Sequence, residues 1–262
     1  MALITATSDF GRKDATLAEL KAQCYSRIND LNWVDISHEI EPHNIWQSAF
    51  VLRRVYKDFP AGTVHMMFVG AAPREGIEYL VIKADGQFFI APNNGVLAYV
   101  LRDAKIAAAR SIVIPNIDLD QHFALFAAAA SHLIGGGKID LLGPPLNSIV
   151  KIKEGAPAPS ERSIQGAIVY VDHYGTCITN ITKALFNSHL QGRRFSVELP
   201  RTKSIGRIYD RLGDVPQGTL AAYWDRHGHL SVLIGKSGGS HLKGSNELLG
   251  LKVNDWVRID FV

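Results

Sequence analysis

The chain has 262 residues, 47% of them hydrophobic and 20% charged, with a formal net charge of +3. That length holds one large or two moderate domains with real cores, and the composition is that of an ordinary globular protein. The basic residues form short clusters at Arg53-Arg54, Lys151 with Lys153, and Arg193-Arg194. They form no stripe, which argues against a nucleic-acid partner, and no stretch approaches the roughly 20 apolar residues of a membrane span.

In chain order, residues 3–6 form a short apolar run that ends in Thr7-Ser8-Asp9-Phe10-Gly11, with Asp14 just beyond. This reads as a buried parallel strand entering a loop. Ligands of open α/β sheets bind at the carboxyl ends of such strands, and two carboxylates on that loop can grip vicinal hydroxyls, an amine or a metal. Leu17, Leu20, Cys24 and Ile28 recur at helical spacing over residues 15–28, and Ile45, Ala49, Leu52 and Tyr56 do so over 45–56. Residues 33–36, 63–69, 79–82 and 88–91 read as strands. Residues 123–134 read as an alanine-rich helix stopped by Gly135-Gly136-Gly137. The alternation predicts an α/β domain with helices on both sheet faces over residues 1–142.

Gly143-Pro144-Pro145 and the run from Gly155 to Ser160 mark a linker over residues 143–163. Beyond it, residues 164–171, 195–199, 204–208, 220–224, 230–234 and 257–261 read as short strands, predicting a small all-β barrel or sandwich over 164–262. Cys24 and Cys177 are the only cysteines. Two thiols without paired spacing, and an amino terminus without a basic region before an apolar stretch, predict a cytoplasmic protein with buried structural cysteines. His227 and His229 flank Gly228, a hairpin turn with no third metal ligand in view.

Seven segments, taken together, resemble one family. They are Thr7-Ser8-Asp9-Phe10-Gly11 with Asp14; Asp35-Ile36-Ser37-His38-Glu39-Ile40 with Pro42; Phe59-Pro60-Ala61-Gly62-Thr63-Val64-His65; and Ile90-Ala91-Pro92-Asn93-Asn94-Gly95-Val96-Leu97. Residues 127–132 of the alanine-rich helix, Val171-Asp172-His173-Tyr174-Gly175-Thr176 with Thr179-Asn180-Ile181, and Gly238-Gly239-Ser240 complete the series. In order and approximate spacing these resemble the S-adenosyl-L-methionine hydroxide adenosyltransferases, relatives of the fluorinase and chlorinase. The resemblance implies an amino-terminal α/β domain, a carboxy-terminal barrel and a homotrimer whose active sites lie between domains of neighbouring subunits. It implies attack on the 5′ carbon of S-adenosylmethionine by water or halide with methionine leaving, and no metal or cofactor beyond that substrate.

The resemblance also assigns roles. Asp9 matches the aspartate that holds the ribose hydroxyls, against the alternative that it caps the next helix. Asp14 and Asp172 match aspartates at the methionine end, and Asp14 can equally cap the helix. Asn93 and Asn94 fall in a turn bordering the ligand. Tyr174 matches an aromatic near the adenine, with barrel packing as its alternative. Thr176 stands where the family has Asn, and Ser237 lies just before the glycines that contact adenine. His38 reads as a structural hydrogen-bonding residue. The hydroxide-forming enzymes carry an Asp, Arg, His triad at the water; here Gly70, Ile77 and Gln121 fall at or near those positions. Arg74 and His122 are the residues able to substitute.

Overall fold

The computed structural model describes every residue except Met1, Leu119, Asp120, Glu154, Arg201, Lys203 and residues 236–243. The chain divides into two compact units, residues 1–153 and 154–262, each with its own sheet in a mixed α/β fold.

In the first unit the elements are β1 (Ala2–Ser8), α1 (Thr16–Tyr25), β2 (Leu31–Ser37), α2 (Ile45–Arg53), β3 (Val64–Phe68), β4 (Tyr79–Ala84), β5 (Gln87–Pro92), α3 (Val96–Val100), β6 (Ile106–Ser111) and α4 (His122–Ile134). Among the described residues the sheet has six strands in the order β2-β1-β3-β5-β4-β6. β2, β1, β3 and β5 run parallel, while β4 is antiparallel to both β5 and β6. The β4–β5 hairpin turns on Asp85 and Gly86, both at positive φ (49° and 79°), the backbone that a two-residue hairpin needs.

Successive strand residues alternate between two apolar layers, as the two-residue period of a strand requires. Met66 and Phe68 of β3, with Tyr79, Val81 and Ile90, join Leu20 and Cys24 of α1 and Leu125, Phe126 and Ala129 of α4. Met67, Leu80, Ile82, Phe89 and Ala91 join Ala49 and Leu52 of α2 and Val96, Leu97 and Val100 of α3 on the other face. α4 ends where expected: the Gly136 and Gly137 N–H groups donate to the Leu133 and His132 carbonyls. Residues 144–146 run beside β6, with Ser111 N–H donating to the Pro144 carbonyl, and Leu146 and Ile149 pack on the α2–α3 layer.

The second unit holds β7 (Ala158–Pro159), β8 (Ser163–Val171), β9 (Cys177–Thr182), α5 (Lys183–Leu190), β10 (Phe195–Glu198), β11 (Ile208–Tyr209), β12 (Leu220–Trp224), β13 (His229–Ile234), α6 (Ser245–Leu249) and β14 (Trp256–Phe261). Its described sheet has the order β10-β14-β8-β9-β13-β12-β11, with β7 on β8. This unit is not all-β. Thr182, whose hydroxyl accepts the Leu185 N–H, starts α5, and α5 inserts Phe186 into the core beside Trp224 and Phe261. The strand expected over residues 204–208 is also absent: Ile205 makes a single bridge to Val197, and pairing resumes only at β11. Among the described residues, no helix is long and apolar enough to cross a membrane.

Candidate functional site

β1 stands at the point where the chain reverses direction across the sheet. From β1 the chain crosses through α1 to β2 on one side, then returns through α2 to β3 on the other. The two helices cover opposite faces, so a crevice opens at the carboxyl ends of β1 and β3, the place where open α/β sheets bind ligands.

Asp9 sits at that crevice. Its Oδ2 accepts the backbone N–H of His43, ahead of α2, at 2.8 Å, and that of Gly70, after β3, at 3.3 Å. Its Oδ1 has no hydrogen-bond partner among the described residues. Asp9 therefore does not cap α1. Asp14 makes the contact at that helix start, accepting the Thr16 N–H at 3.0 Å, and the backbone and hydroxyl of Thr16 hold its carboxyl below the ordinary value.

Asn94 closes the crevice from β5. Its Nδ2 donates to the Val69 carbonyl at 2.9 Å, and its Oδ1 accepts the Val96 N–H at 3.2 Å. Gly70 has φ of 60°, and a Cβ there would lie 3.5 Å from Asn94 Nδ2 and 3.9 Å from His43 Nδ1. Asp9, His43, Gly70 and Asn94 thus meet over three adjacent strand ends. The sequence pointed to Asp9 and Asn94 but not to His43 or Gly70 as their partners.

Arg74 lies on the exposed loop after β3, its guanidinium donating to the Gly70 carbonyl at 3.1 Å. With Ile77, Glu78, Pro92, Asn93 and Asn94 it lines a cleft of about 180 Å³. The Asn93 side chain is committed to this loop: its Nδ2 donates to Glu78 Oε2 (2.7 Å) and the Ser148 carbonyl (3.1 Å), and its Oδ1 accepts the Val150 N–H (2.9 Å).

His122 is the first residue of α4, and its ring stacks on Tyr79 with centroids 6.2 Å apart and a 14° interplanar angle. Phe10, Phe68, Phe123 and Phe126 extend this aromatic cluster. The Tyr79 hydroxyl donates to the Ala71 carbonyl at 2.7 Å. Burial pushes its pKa up to about 12, against the opposing pull of the Arg74 charge. Arg74 and His122 therefore both bear on Tyr79. At the triad-matching positions, Gly70 carries no side chain, Ile77 belongs to the apolar core, and Gln121 is exposed at the start of α4.

In the second unit, Asp172, Tyr174 and Thr176 share the β8–β9 turn. Asp172 Oδ1 accepts the N–H groups of Tyr174 (2.9 Å) and Thr176 (2.8 Å). Tyr174 is 68% exposed, so it does not pack into the core of this unit, whereas Thr176 is buried. Gly175 presses the turn onto residues 244–246: its carbonyl accepts the Ser245 hydroxyl at 2.7 Å and the Asn246 N–H at 3.2 Å. At φ of 76°, a Cβ on Gly175 would fall 2.2 Å from Asn246 Oδ1 and 2.6 Å from the Gly244 Cα. Gly175→Ala is accordingly expected to destabilise this unit by about 3 kcal/mol, from left-handed strain plus backbone overlap. Denaturant unfolding measures it, and a loss under about 0.5 kcal/mol would show that the turn yields instead. Ser237 and Gly238-Gly239-Ser240 lie outside the described residues. His227 and His229 donate their N–H groups to Asp225 Oδ1 at 2.8 and 2.9 Å, a turn function. No group of residues able to hold a metal occurs among the described residues.

A doubly covered sheet with a polar crevice at its reversal point defines an α/β ligand-binding protein, here joined to a second, mostly β unit. The chain belongs to the S-adenosyl-L-methionine (SAM) hydroxide adenosyltransferase family, whose amino-terminal domain model matches residues 4–143 and carboxy-terminal domain model residues 166–258. The (R)-S-adenosyl-L-methionine hydrolase of Thermus thermophilus is 27% identical, covering 96% of this chain and 97% of its own length. That of Methanocaldococcus jannaschii is 28% identical, covering 69% of this chain and 67% of its own. A fluorinase of Actinopolyspora mzabensis is 24% identical over 68% of this chain and 71% of its own. Among solved structures, a conserved protein of Thermotoga maritima superposes with a TM-score of 0.81 at 27% identity, covering 99% of this chain and all of that one.

Proposed function

We propose that this chain binds S-adenosyl-L-methionine above β1, β3 and β5 and hydrolyses it to adenosine and L-methionine. The observation that supports this reading is Asp9: one carboxylate oxygen is anchored by two main-chain N–H groups and the other is open to accept from a ribose 2′,3′-diol. Family membership supplies the adenosyl substrate. In the reaction, a water oxygen bonds to C5′ while the C5′–S bond breaks. The bonding pair goes to sulfur and neutralises the sulfonium, methionine leaves, and the water's proton passes to solvent. The sulfonium is already an activated leaving group, so the protein's task is to position and desolvate the nucleophile.

Arg74 and His122 are the residues we assign to the water. Asn93 acts through its loop contacts rather than on ligand, and Asn94 borders the ligand. The methionine-end roles of Asp14 and Asp172, the adenine-end roles of Tyr174, Thr176 and Ser237, closure of the second sheet into a barrel and the homotrimer rest on the resemblance, and the cytoplasmic location rests on the unpaired cysteines. A second reading, adenosyl binding without hydrolysis, is favoured by Gly70, Ile77 and Gln121, which bring neither charge nor base where the family has its triad.

Purified protein incubated with S-adenosylmethionine, with and without chloride, and analysed by chromatography separates these readings. Adenosine above background is expected, falling at least about tenfold in Arg74→Ala and His122→Ala, a floor below the roughly 100-fold or more of a full general acid–base because the leaving group is already activated. An unchanged rate in both variants would remove those assignments. A 5′-chloro product would mark halide transfer. Binding without product favours the second reading, and no binding sinks both.

A further inference from the structure

We propose that Ser8, His38 and Asp35 form a tautomer-locked relay that holds the Asp9 turn in its ligand-binding shape, making His38 a positioning residue for the reaction. The inference rests on the functional reading above and deepens it.

His38 grips the turn of residues 8–11 at both ends. Its Nδ1 lies 2.7 Å from the Ser8 hydroxyl, and its backbone carbonyl accepts the Gly11 N–H at 2.8 Å. Asp9 sits between the two grips. The Ser8 hydroxyl oxygen also accepts the Phe10 N–H at 3.4 Å, and Gly11 adopts φ of 67°, so the turn is sharp and tied at each step. Ser8 and His38 are both fully buried, which places them behind the ligand surface.

On its far side His38 Nε2 meets Asp35 Oδ1 at 3.0 Å. Asp35 in turn accepts from Lys21 Nζ at 2.9 Å and from the Trp33 indole N–H. An ionised carboxylate only accepts, so Nε2 must carry the proton. Nδ1 is then an acceptor, and the Ser8 hydroxyl must donate to it, leaving its oxygen lone pairs for Phe10. One carboxylate at the unit's surface thereby dictates the direction of every hydrogen bond down to the turn. The same logic makes a neighbouring aspartate set the tautomer of a catalytic histidine in serine proteases. Here the serine is buried and serves the turn instead of attacking a substrate. Burial lowers the His38 pKa, as do the charges of Lys21 and Arg12, against the upward pull of Asp35, so the neutral form that the relay needs is the favoured one near pH 7.

The arrangement differs from ordinary core packing in one testable respect: changing a proton's location, with no loss of volume at the residue that sets it, disturbs the ligand site. Asp35→Asn, made together with Trp33→Phe because the indole N–H shares Oδ1 with His38, keeps the size at position 35. Lys21 then holds the amide oxygen and the amide N–H faces Nε2, which moves the ring proton to Nδ1 and leaves the Ser8 hydroxyl proton without its acceptor. The experiment measures adenosine and S-adenosylmethionine binding by calorimetry, the His38 ring tautomer by long-range ¹H–¹⁵N NMR, and amide exchange at Phe10 and Gly11. It uses the full-length wild type, the Trp33→Phe, Asp35→Asn double variant and Ser8→Ala, each with its melting curve. Wild type is expected to carry the Nε2 proton, and the double variant the Nδ1 proton. Both variants are expected to bind adenosine about tenfold more weakly, the size of one lost buried hydrogen bond, with faster exchange at Phe10 and Gly11. If Ser8→Ala does not fold, the double variant, at partly exposed positions, carries the test.

Wild-type affinity and exchange in the double variant, or an Nδ1 proton in wild type, would overturn the relay. If wild type binds neither adenosine nor S-adenosylmethionine, the functional reading has failed on its own; the tautomer and amide exchange then still decide whether His38 holds the turn.

Discussion

Asp9→Ala is expected to weaken S-adenosylmethionine binding by about a hundredfold or more, the largest functional loss from any single substitution in this site. Two terms add. A charged carboxylate hydrogen-bonded to a diol contributes about 1.5–3 kcal/mol per bond over a neutral surface, and two such bonds correspond to two or more decades in Kd. The second term is internal: His43 and Gly70 lose the acceptor for their N–H groups, so the loops after β3 and before α2 lose a shared anchor. Asp9→Asn separates the terms. Its amide oxygen can still accept from His43 and Gly70, but the charge and the second acceptor are gone, so the fold should keep wild-type stability while binding still falls at least about tenfold. Calorimetric titration with adenosine and with S-adenosylmethionine reads both variants. Wild-type affinity in Asp9→Ala would show that the ribose is held elsewhere.

Much of the first unit was legible before its structure. The runs at residues 3–6, 63–69 and 88–91 became β1, β3 and β5 because strands buried on both faces are continuously apolar. The helical repeats became α1 and α2, although α2 stops at Arg53, short of Tyr56, and the alanine-rich run before the three glycines became α4. Six elements escaped: α3, β6, β7, β9, α5 and α6. β6 is rich in alanine, as α4 is, and only its pairing with β4 selects strand over helix. α3 spans five residues, too short for a repeat. α5 lies between strand-like runs, and its one sequence signal is the Thr182 cap. The antiparallel β4–β5 pair had its signal in Asp85-Gly86, a strong hairpin dipeptide that the strand pattern alone does not use.

The site was half legible. Its place followed from the strand end, and Asp9 from the turn chemistry there. What Asp9 touches could not be read, because His43 and Gly70 lie 34 and 61 residues away and are main-chain donors, for which side-chain identity carries no signal. The family resemblance supplied substrate and reaction. The departure at Gly70, Ile77 and Gln121 was visible in the sequence, but only the structure shows Ile77 packed on the core at the edge of the cleft and His122 stacked on Tyr79.

Acid should destabilise the first unit well before it protonates the carboxylates, and His65 is the reason. Its ring is fully buried in β3 between Thr5, whose hydroxyl lies 2.7 Å from Nδ1, and Gln87, whose Oε1 lies 3.2 Å from Nε2, and it stacks on Phe89. The Gln87 amide nitrogen donates to the Tyr56 and Phe59 carbonyls, so its oxygen faces the ring as acceptor, Nε2 carries the proton, and Nδ1 accepts from Thr5. Burial lowers the His65 pKa to about 4, only partly opposed by Gln87. The unfolded chain, with an ordinary histidine value, takes up a proton near pH 6.5 that the folded chain refuses. Stability from this group is therefore complete above about pH 6.5 and is lost progressively as pH falls toward 4, by at most about 3 kcal/mol. Asp35 works in a lower window. Burial alone would raise it, but hydrogen bonds from His38, Lys21 and Trp33 outweigh that and hold it at about 2, so its contribution disappears only below about pH 4. Urea unfolding of wild type at pH 7.5, 6.0, 5.0 and 4.5 should thus give a falling free energy whose largest single step lies between pH 6.0 and 5.0. His65→Gln should start lower at pH 7.5, because one ring's contacts are gone, yet change less over the same range. A wild-type free energy flat from pH 7.5 to 4.5 would mean that the His65 site admits the proton, with Thr5 turning its hydroxyl to accept it.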